Sequence, residues 1–143
     1  MLKIAVVDDE KVYIDQIQEY IRQYSAEKKR EIQTETFCDG SALLENYSPR
    51  FDIILLDIEM GKLNGMETAR EIRKKDQDVV LVFITNMAQY AINGYDVGAL
   101  DYVLKPINYY TFSVRLDRAV SRVKKRQPEE ILLNLPDGIK RLK

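Results

Sequence analysis

The run Val79-Val80-Leu81-Val82-Phe83-Ile84 contains no polar residue, so a strand built from it has two apolar faces and needs cover on both. Leu2-Lys3-Ile4-Ala5-Val6-Val7, Ile53-Ile54-Leu55-Leu56 and Tyr102-Val103-Leu104 are nearly as apolar. Between such runs the apolar residues change period. Ile14, Ile17, Ile21 and Tyr24 lie at helical spacing within 11–25, as do Phe112, Leu116, Ala119, Val120 and Val123 within 109–125. Strands alternating with amphipathic helices imply a parallel sheet with helices on both faces.

The alternation repeats five times, which predicts an α/β fold: a five-stranded, doubly wound parallel sheet of the flavodoxin-like type. Strands are expected near 2–7, 31–38, 52–56, 79–84 and 101–104. Helices are expected near 11–25, from Ser41 as a cap to about Tyr47, and at 66–75, 87–94 and 109–125. The 31–38 segment, with Ile32, Thr34, Thr36 and Cys38 alternating with polar residues, reads as an edge strand. The 79–84 run reads as an interior one. Met60, Met66 and Met87 read as packing residues.

Composition removes several chemistries. The 143 residues include no histidine, which excludes Ser-His and Cys-His nucleophile pairs, histidine metal sites and a phosphohistidine role for this chain. Cys38 is the single cysteine, so an internal disulfide is impossible and a reducing, cytoplasmic location is expected. A net charge of −1 gives no basic footprint for nucleic acid. No apolar stretch approaches the roughly 20 residues of a membrane span. There is no G-x-x-x-x-G-K loop for a nucleotide.

In a doubly wound sheet the crevice lies beyond the carboxyl ends of the strands. Asp8 and Asp9 follow the first strand, Asp57 the third, Thr85 the fourth and Lys105 the fifth. Clustered acids repel one another and are hard to ionise without a divalent cation. A carboxylate can accept a phosphoryl group as an acyl phosphate. Mg2+ held by Asp8, Asp9 or both, by Asp57 and by the Glu59 backbone carbonyl would bridge that carboxylate and the incoming anion. Thr85 and Lys105 can bond the phosphoryl oxygens. Tyr102 reads either as core or as an aromatic able to swing beside the pocket. A proline after Lys105 admits a cis bond that would aim the lysine into the crevice.

Together Ile4-Ala5-Val6-Val7-Asp8-Asp9-Glu10, Asp52-Ile53-Ile54-Leu55-Leu56-Asp57-Ile58-Glu59-Met60, Asn64-Gly65-Met66-Glu67, Phe83-Ile84-Thr85 and Gly98-Ala99-Leu100-Asp101-Tyr102-Val103-Leu104-Lys105-Pro106 resemble the receiver domain of bacterial two-component response regulators, of CheY-like fold. The resemblance covers about residues 2–126. It implies Asp57 as phosphoacceptor, a sensor histidine kinase as phosphoryl donor, Asp8 and Asp9 as magnesium acids, and the Glu59 carbonyl as a further ligand. It implies Thr85 and Tyr102 as switch residues and Lys105 as the phosphate-sensing lysine. A domain of this kind catalyses only its own phosphorylation and dephosphorylation. A homodimer through the helix near 87–94, the strand near 101–104 and the last helix is consistent with it. Gly61 and Asn86 depart from the family pattern, at positions commonly held by proline and by a smaller residue.

Within the family, 88–95 and the tail Ile131-Leu132-Leu133-Asn134-Leu135-Pro136-Asp137-Gly138 are similar to LytTR-type transcription regulators. On that reading 1–126 is the receiver, and 127–143 is a linker and the start of a truncated DNA-binding domain, through which alone DNA would be contacted. Pro128 is expected to end the last helix, and 131–135 to form a strand that opens a second domain or adds to the sheet edge. The basic residues Arg115, Arg118, Arg122, Lys124, Lys125 and Arg126 read as a solvated helix face, with nucleic-acid contact the alternative. Three rivals to a working receiver are an aspartyl-phosphate phosphatase, a flavin-phosphate binder and a receiver used only for docking. Glu59 stands where the phosphatase needs an aspartate, Asp8-Asp9-Glu10 would repel flavin phosphate, and the complete acid, Thr and Lys set argues against the third.

Overall fold

β1 (Leu2–Val7), β2 (Ile32–Phe37), β3 (Ile53–Leu56), β4 (Val80–Thr85) and β5 (Asp101–Leu104) form one parallel sheet in the order β2-β1-β3-β4-β5. The computed structural model describes residues 1–61, 63–87 and 96–133, with the backbone alone from 124 onward. Four helices accompany the strands: α1 (Lys11–Lys28), α2 (Gly40–Leu44), α3 (Gly65–Lys75) and α4 (Tyr109–Leu133).

Side chains alternate across each strand, and two cores follow from that alternation. Ile4, Val6, Ile53, Leu55, Val82, Ile84 and Val103 point to one face, where Ile17, Ile21 and Tyr24 of α1 and Phe112, Leu116, Ala119, Val120 and Val123 of α4 cover them. Ala5, Val7, Ile54, Leu56, Leu81 and Phe83 point to the other, against Leu43 of α2 and Met66, Ala69 and Ile72 of α3. Each Val, Leu, Ile, Phe or Met among them contributes about 1.5–3 kcal/mol on burial. β4 is buried at all six positions: five belong to the apolar run, and the sixth is Thr85, which ends the strand. Met60 and Met66 are buried and Met87 packs against the same core, in line with their reading as packing residues.

Register sets the site. Val7 pairs with Leu56, Leu56 with Phe83, and Thr85 with Leu104. The residues that follow these pairs therefore emerge along one edge. Asp8 and Asp57 leave neighbouring strands at one level, with the Asp57 N–H donating to the Val7 carbonyl at 3.0 Å. The β1–β3 contact is where the strand order reverses, the place such sheets keep for ligands.

Several local expectations are corrected. α1 runs to Lys28, stopping at Lys29 in the left-handed region (φ 51°). α2 is capped by Asp39, whose carboxylate accepts from the Ala42 N–H at 2.7 Å, so Ser41 lies inside the helix. A carboxylate with extended backbone outcompetes the hydroxyl as a cap here. In β2 it is Phe37 that packs toward the core, while Thr36 and Cys38 are exposed. Most consequentially, α4 does not stop before Pro128 but continues to Leu133. A short apolar run such as Ile131-Leu132-Leu133 has no period of its own, and the helix formers Gln127, Glu129 and Glu130 carry the preceding helix into it. The 131–133 part of the expected strand is therefore helical. Asn134 and Leu135, the rest of the tail, and the 88–94 part of the expected short helix lie outside the described residues.

Candidate functional site

Lys105 reaches back from the end of β5 into a buried crevice between β1 and β3. Its ammonium donates to Asp8 Oδ2 at 2.8 Å and to Asp57 Oδ2 at 3.4 Å. All three side chains are almost fully buried, at 1% exposed for the lysine, 2% for Asp8 and 4% for Asp57. The Lys105-Pro106 peptide is cis. Chain separation between Lys105 and Asp8 is 97 residues, so only the sheet brings them together.

Each acid is held from its own backbone. Asp57 Oδ1 accepts from the Ile58 N–H at 2.8 Å, and Asp8 Oδ1 accepts from the Glu10 N–H at 2.9 Å. Burial pushes the Asp57 carboxyl above the ordinary carboxylate range; the Thr85 hydroxyl opposes this, the Asp8 charge adds to it, and Lys105 and the Ile58 N–H oppose it. For Lys105 burial disfavours the charge, but the Asp8 hydrogen bond and both carboxylates outweigh it and raise the ammonium above its usual value. The lysine is a cation throughout the neutral range.

Thr85 is fully buried and accepts from the Met87 N–H at 3.2 Å. Tyr102 is half-buried, its ring 5.9 Å from that of Phe83, and its hydroxyl donates to the Met87 carbonyl. Met87 thus links the two residues expected to act as a switch. Asp9 and Glu59 are exposed at the rim. Among the described residues, carboxylate oxygens of Asp8, Asp9 and Glu10 lie within 4.8 Å of one another, a hard-oxygen donor set suited to a divalent cation. Lys105 links that group to Asp57 through its bonds to Asp8 and Asp57.

Some contributing residues carry no role of their own in the sequence reading. Glu10 joins the acids. Gly65 packs so closely that a Cβ there would lie 1.9 Å from the Asp57 carbonyl oxygen. Asn64 and Glu67 form a capping box that starts α3 after the Asp57 loop, a signal legible as N-x-x-E. Tyr13, on α1, lays its ring over the Lys105 ammonium at 3.7 Å, and no local pattern marks it.

The model of the response regulator receiver domain matches residues 4–117. The chain belongs to the response regulator receiver family. This receiver is 35% identical to the sensory transduction protein LytT of Bacillus cereus, over 92% of this chain and 50% of that protein. It is 26% identical to the transcriptional regulatory protein BtsR of Escherichia coli K12, over 100% of this chain and 56% of that one. The receiver therefore spans about half the length of the curated relatives it matches. Among solved structures it is similar to the response regulator protein TrrA of Thermotoga maritima, crystallised in complex with Mg2+-BeF: 32% identity, TM-score 0.64, covering 83% of this chain and 99% of that one. Its sheet order and paired helical layers are those of the CheY-like fold. Among the described residues no helix of this receiver is long and apolar enough to cross a membrane.

Proposed function

We propose that this receiver is the Asp57-phosphorylated input of a cytoplasmic two-component transcription regulator. One observation carries the reading: a buried ammonium stands between two buried carboxylates at the strand ends, 2.8 Å from one and 3.4 Å from the other. Such an arrangement holds Asp57 in place while leaving it a poorly compensated nucleophile, ready to exchange repulsion for a covalent bond.

A sensor histidine kinase supplies the phosphoryl group. An Asp57 carboxylate oxygen attacks the phosphorus of the phosphohistidine; the P–O bond forms as the P–N bond breaks, and the imidazole leaves with the electron pair and takes up a proton. Asp8, Asp9, Asp57 and the Glu59 backbone carbonyl would hold Mg2+; all four are oxygen donors, and the Asp8 and Asp9 carboxylate oxygens lie within 4.8 Å of each other. When bound, that ion offsets the repulsion between the carboxylate and the incoming phosphoryl oxygens. Lys105 moves from Asp8 toward the new anion, and the Thr85 hydroxyl turns to it. Thr85 then releases the Met87 segment, and Tyr102 follows inward.

The output lies at the β5–α4 face, where Leu104, Tyr110 and Val114 are exposed, and we assign the phosphorylation-dependent homodimer to it. DNA contact belongs to a LytTR-type domain after the receiver, with α4 beyond residue 126 as the connection; LytT and BtsR, about twice as long as this chain, support that organisation. Incubation with Mg2+ and acetyl phosphate should add one phosphoryl group by intact mass. Equal uptake by Asp57→Asn would sink the assignment.

A further inference from the structure

Lys105 has three N–H groups, and the two carboxylates engage only two directions around its nitrogen. The ring of Tyr13 covers the ammonium from a third, with the nitrogen 3.7 Å from the ring centroid. With the lysine side chain 1% exposed, this is a desolvated cation against an aromatic face, the setting in which the attraction is strongest.

Tyr13 is held there by more than its own contact. Tyr20, two turns along α1, donates from its hydroxyl to the Ile107 carbonyl at 3.1 Å, and its ring meets those of Tyr109 and Phe112 at 5.6 and 5.5 Å. Residues seven apart share one helix face. One face of α1 therefore grips the loop after β5 at Ile107 and closes over its lysine at Lys105.

We propose that Tyr13 is a positioning residue for Lys105, setting how readily the ammonium moves from Asp8 to a phosphorylated Asp57. A carboxylate hydrogen bond is directional and holds the lysine in one place. An aromatic face is a broad, non-directional partner that the ammonium keeps while it shifts the short way from one oxygen to the other. Without the ring, water reaches the cation and competes with the phosphoryl oxygens. The inference rests on the receiver reading of the site.

The test compares Tyr13→Leu and Tyr13→Phe with the parent, each as the 143-residue chain. Before any phosphorylation, the ring current should shift the Lys105 ε-methylene signals upfield in the parent and in Tyr13→Phe, but not in Tyr13→Leu. Uptake from acetyl phosphate with Mg2+ should then fall about 3- to 30-fold in Tyr13→Leu, the range a desolvated cation–π contact supports, and stay within about twofold in Tyr13→Phe. Unshifted lysine signals in the parent, or equal uptake in Tyr13→Leu and the parent, would overturn the proposal, as would a Tyr13→Phe loss as large as that of Tyr13→Leu. Should Tyr13→Leu not fold, the parent and Tyr13→Phe spectra still decide it. A parent chain that takes up no phosphoryl would sink the receiver reading instead, and the spectra would still judge the lysine contact.

Discussion

Lys105 is closer to Asp8 than to Asp57, at 2.8 Å against 3.4 Å, although Asp57 is the residue assigned to the phosphoryl group. The lysine is thus parked on the acid we propose for the metal site, and its one charge is shared between both carboxylates. Removing it leaves two buried acids facing each other without a cation. Lys105→Met should lose about 3–5 kcal/mol in metal-free buffer, the usual result of breaking a buried pair from one side. Millimolar Mg2+ should restore part of this by binding only the folded state. Urea denaturation with and without Mg2+ checks it, and a loss below about 1 kcal/mol would show that the acids do not depend on the ammonium.

Asp57→Asn should act in the opposite direction. Because burial raises the Asp57 carboxyl in the folded state, its ionisation opposes folding. The favourable contribution of the protonated acid is present below the unfolded value of 3.8 and is lost as pH rises through the folded value. At pH 7 without metal, Asp57→Asn should therefore melt above the parent, by about 3–5 °C for each kcal/mol relieved. The gap should close as the buffer is acidified, and Mg2+ should stabilise the parent more than the variant. Thermal melts at pH 7 and near pH 4 suffice.

Gly65→Ala tests the floor of the site. The added Cβ would fall 1.9 Å from the Asp57 carbonyl oxygen and 2.8 Å from the Ile58 Cα, both backbone atoms that cannot yield cheaply. A stability loss of about 1–3 kcal/mol is expected from such overpacking. Phosphoryl uptake should fall as well, because the shift moves the acceptor itself. Normal uptake in a destabilised variant would mean that α3, not the acceptor loop, absorbs the strain.

Tyr47 and Asp76 form a second buried pair, away from the site. The Tyr47 hydroxyl donates to Asp76 Oδ2 at 2.8 Å, and Asp76 Oδ1 accepts from the Asp78 and Val79 N–H groups at 3.1 and 3.2 Å. Tyr47→Phe should cost about 1.5–3 kcal/mol, as for a hydrogen bond to a charged group. Burial first, then the Asp76 bond and charge, raise this phenol well above 10.0. Its contribution is complete below 10.0 and disappears as pH rises through the folded value, so the parent should lose stability above about pH 10 more steeply than Tyr47→Phe. Parallel alkaline denaturation curves would remove Tyr47 from the explanation.

The sequence by itself determined the class of fold and the membership of the strand-end set. A two-residue period in strands and a 3.6-residue period in helices are local properties, so β1, β3, β4, β5 and the inward face of α4 were legible without coordinates. So was the placement of Asp8, Asp57, Thr85 and Lys105, because a carboxyl-end position needs only a strand boundary. Local pattern is ambiguous where two polar residues compete within a turn, as Asp39 rather than Ser41 caps α2, and where a short apolar run has no period, as α4 passes Pro128 into 131–133. Only the tertiary structure decided which partner each charge prefers. That Lys105 rests on Asp8, that Tyr13 roofs it and that Gly65 lies under Asp57 depend on sheet register and on how α1 and α3 pack across it. Those contacts join residues far apart in the chain at separations where a fraction of an ångström changes the ranking of partners, and no local periodicity carries that information.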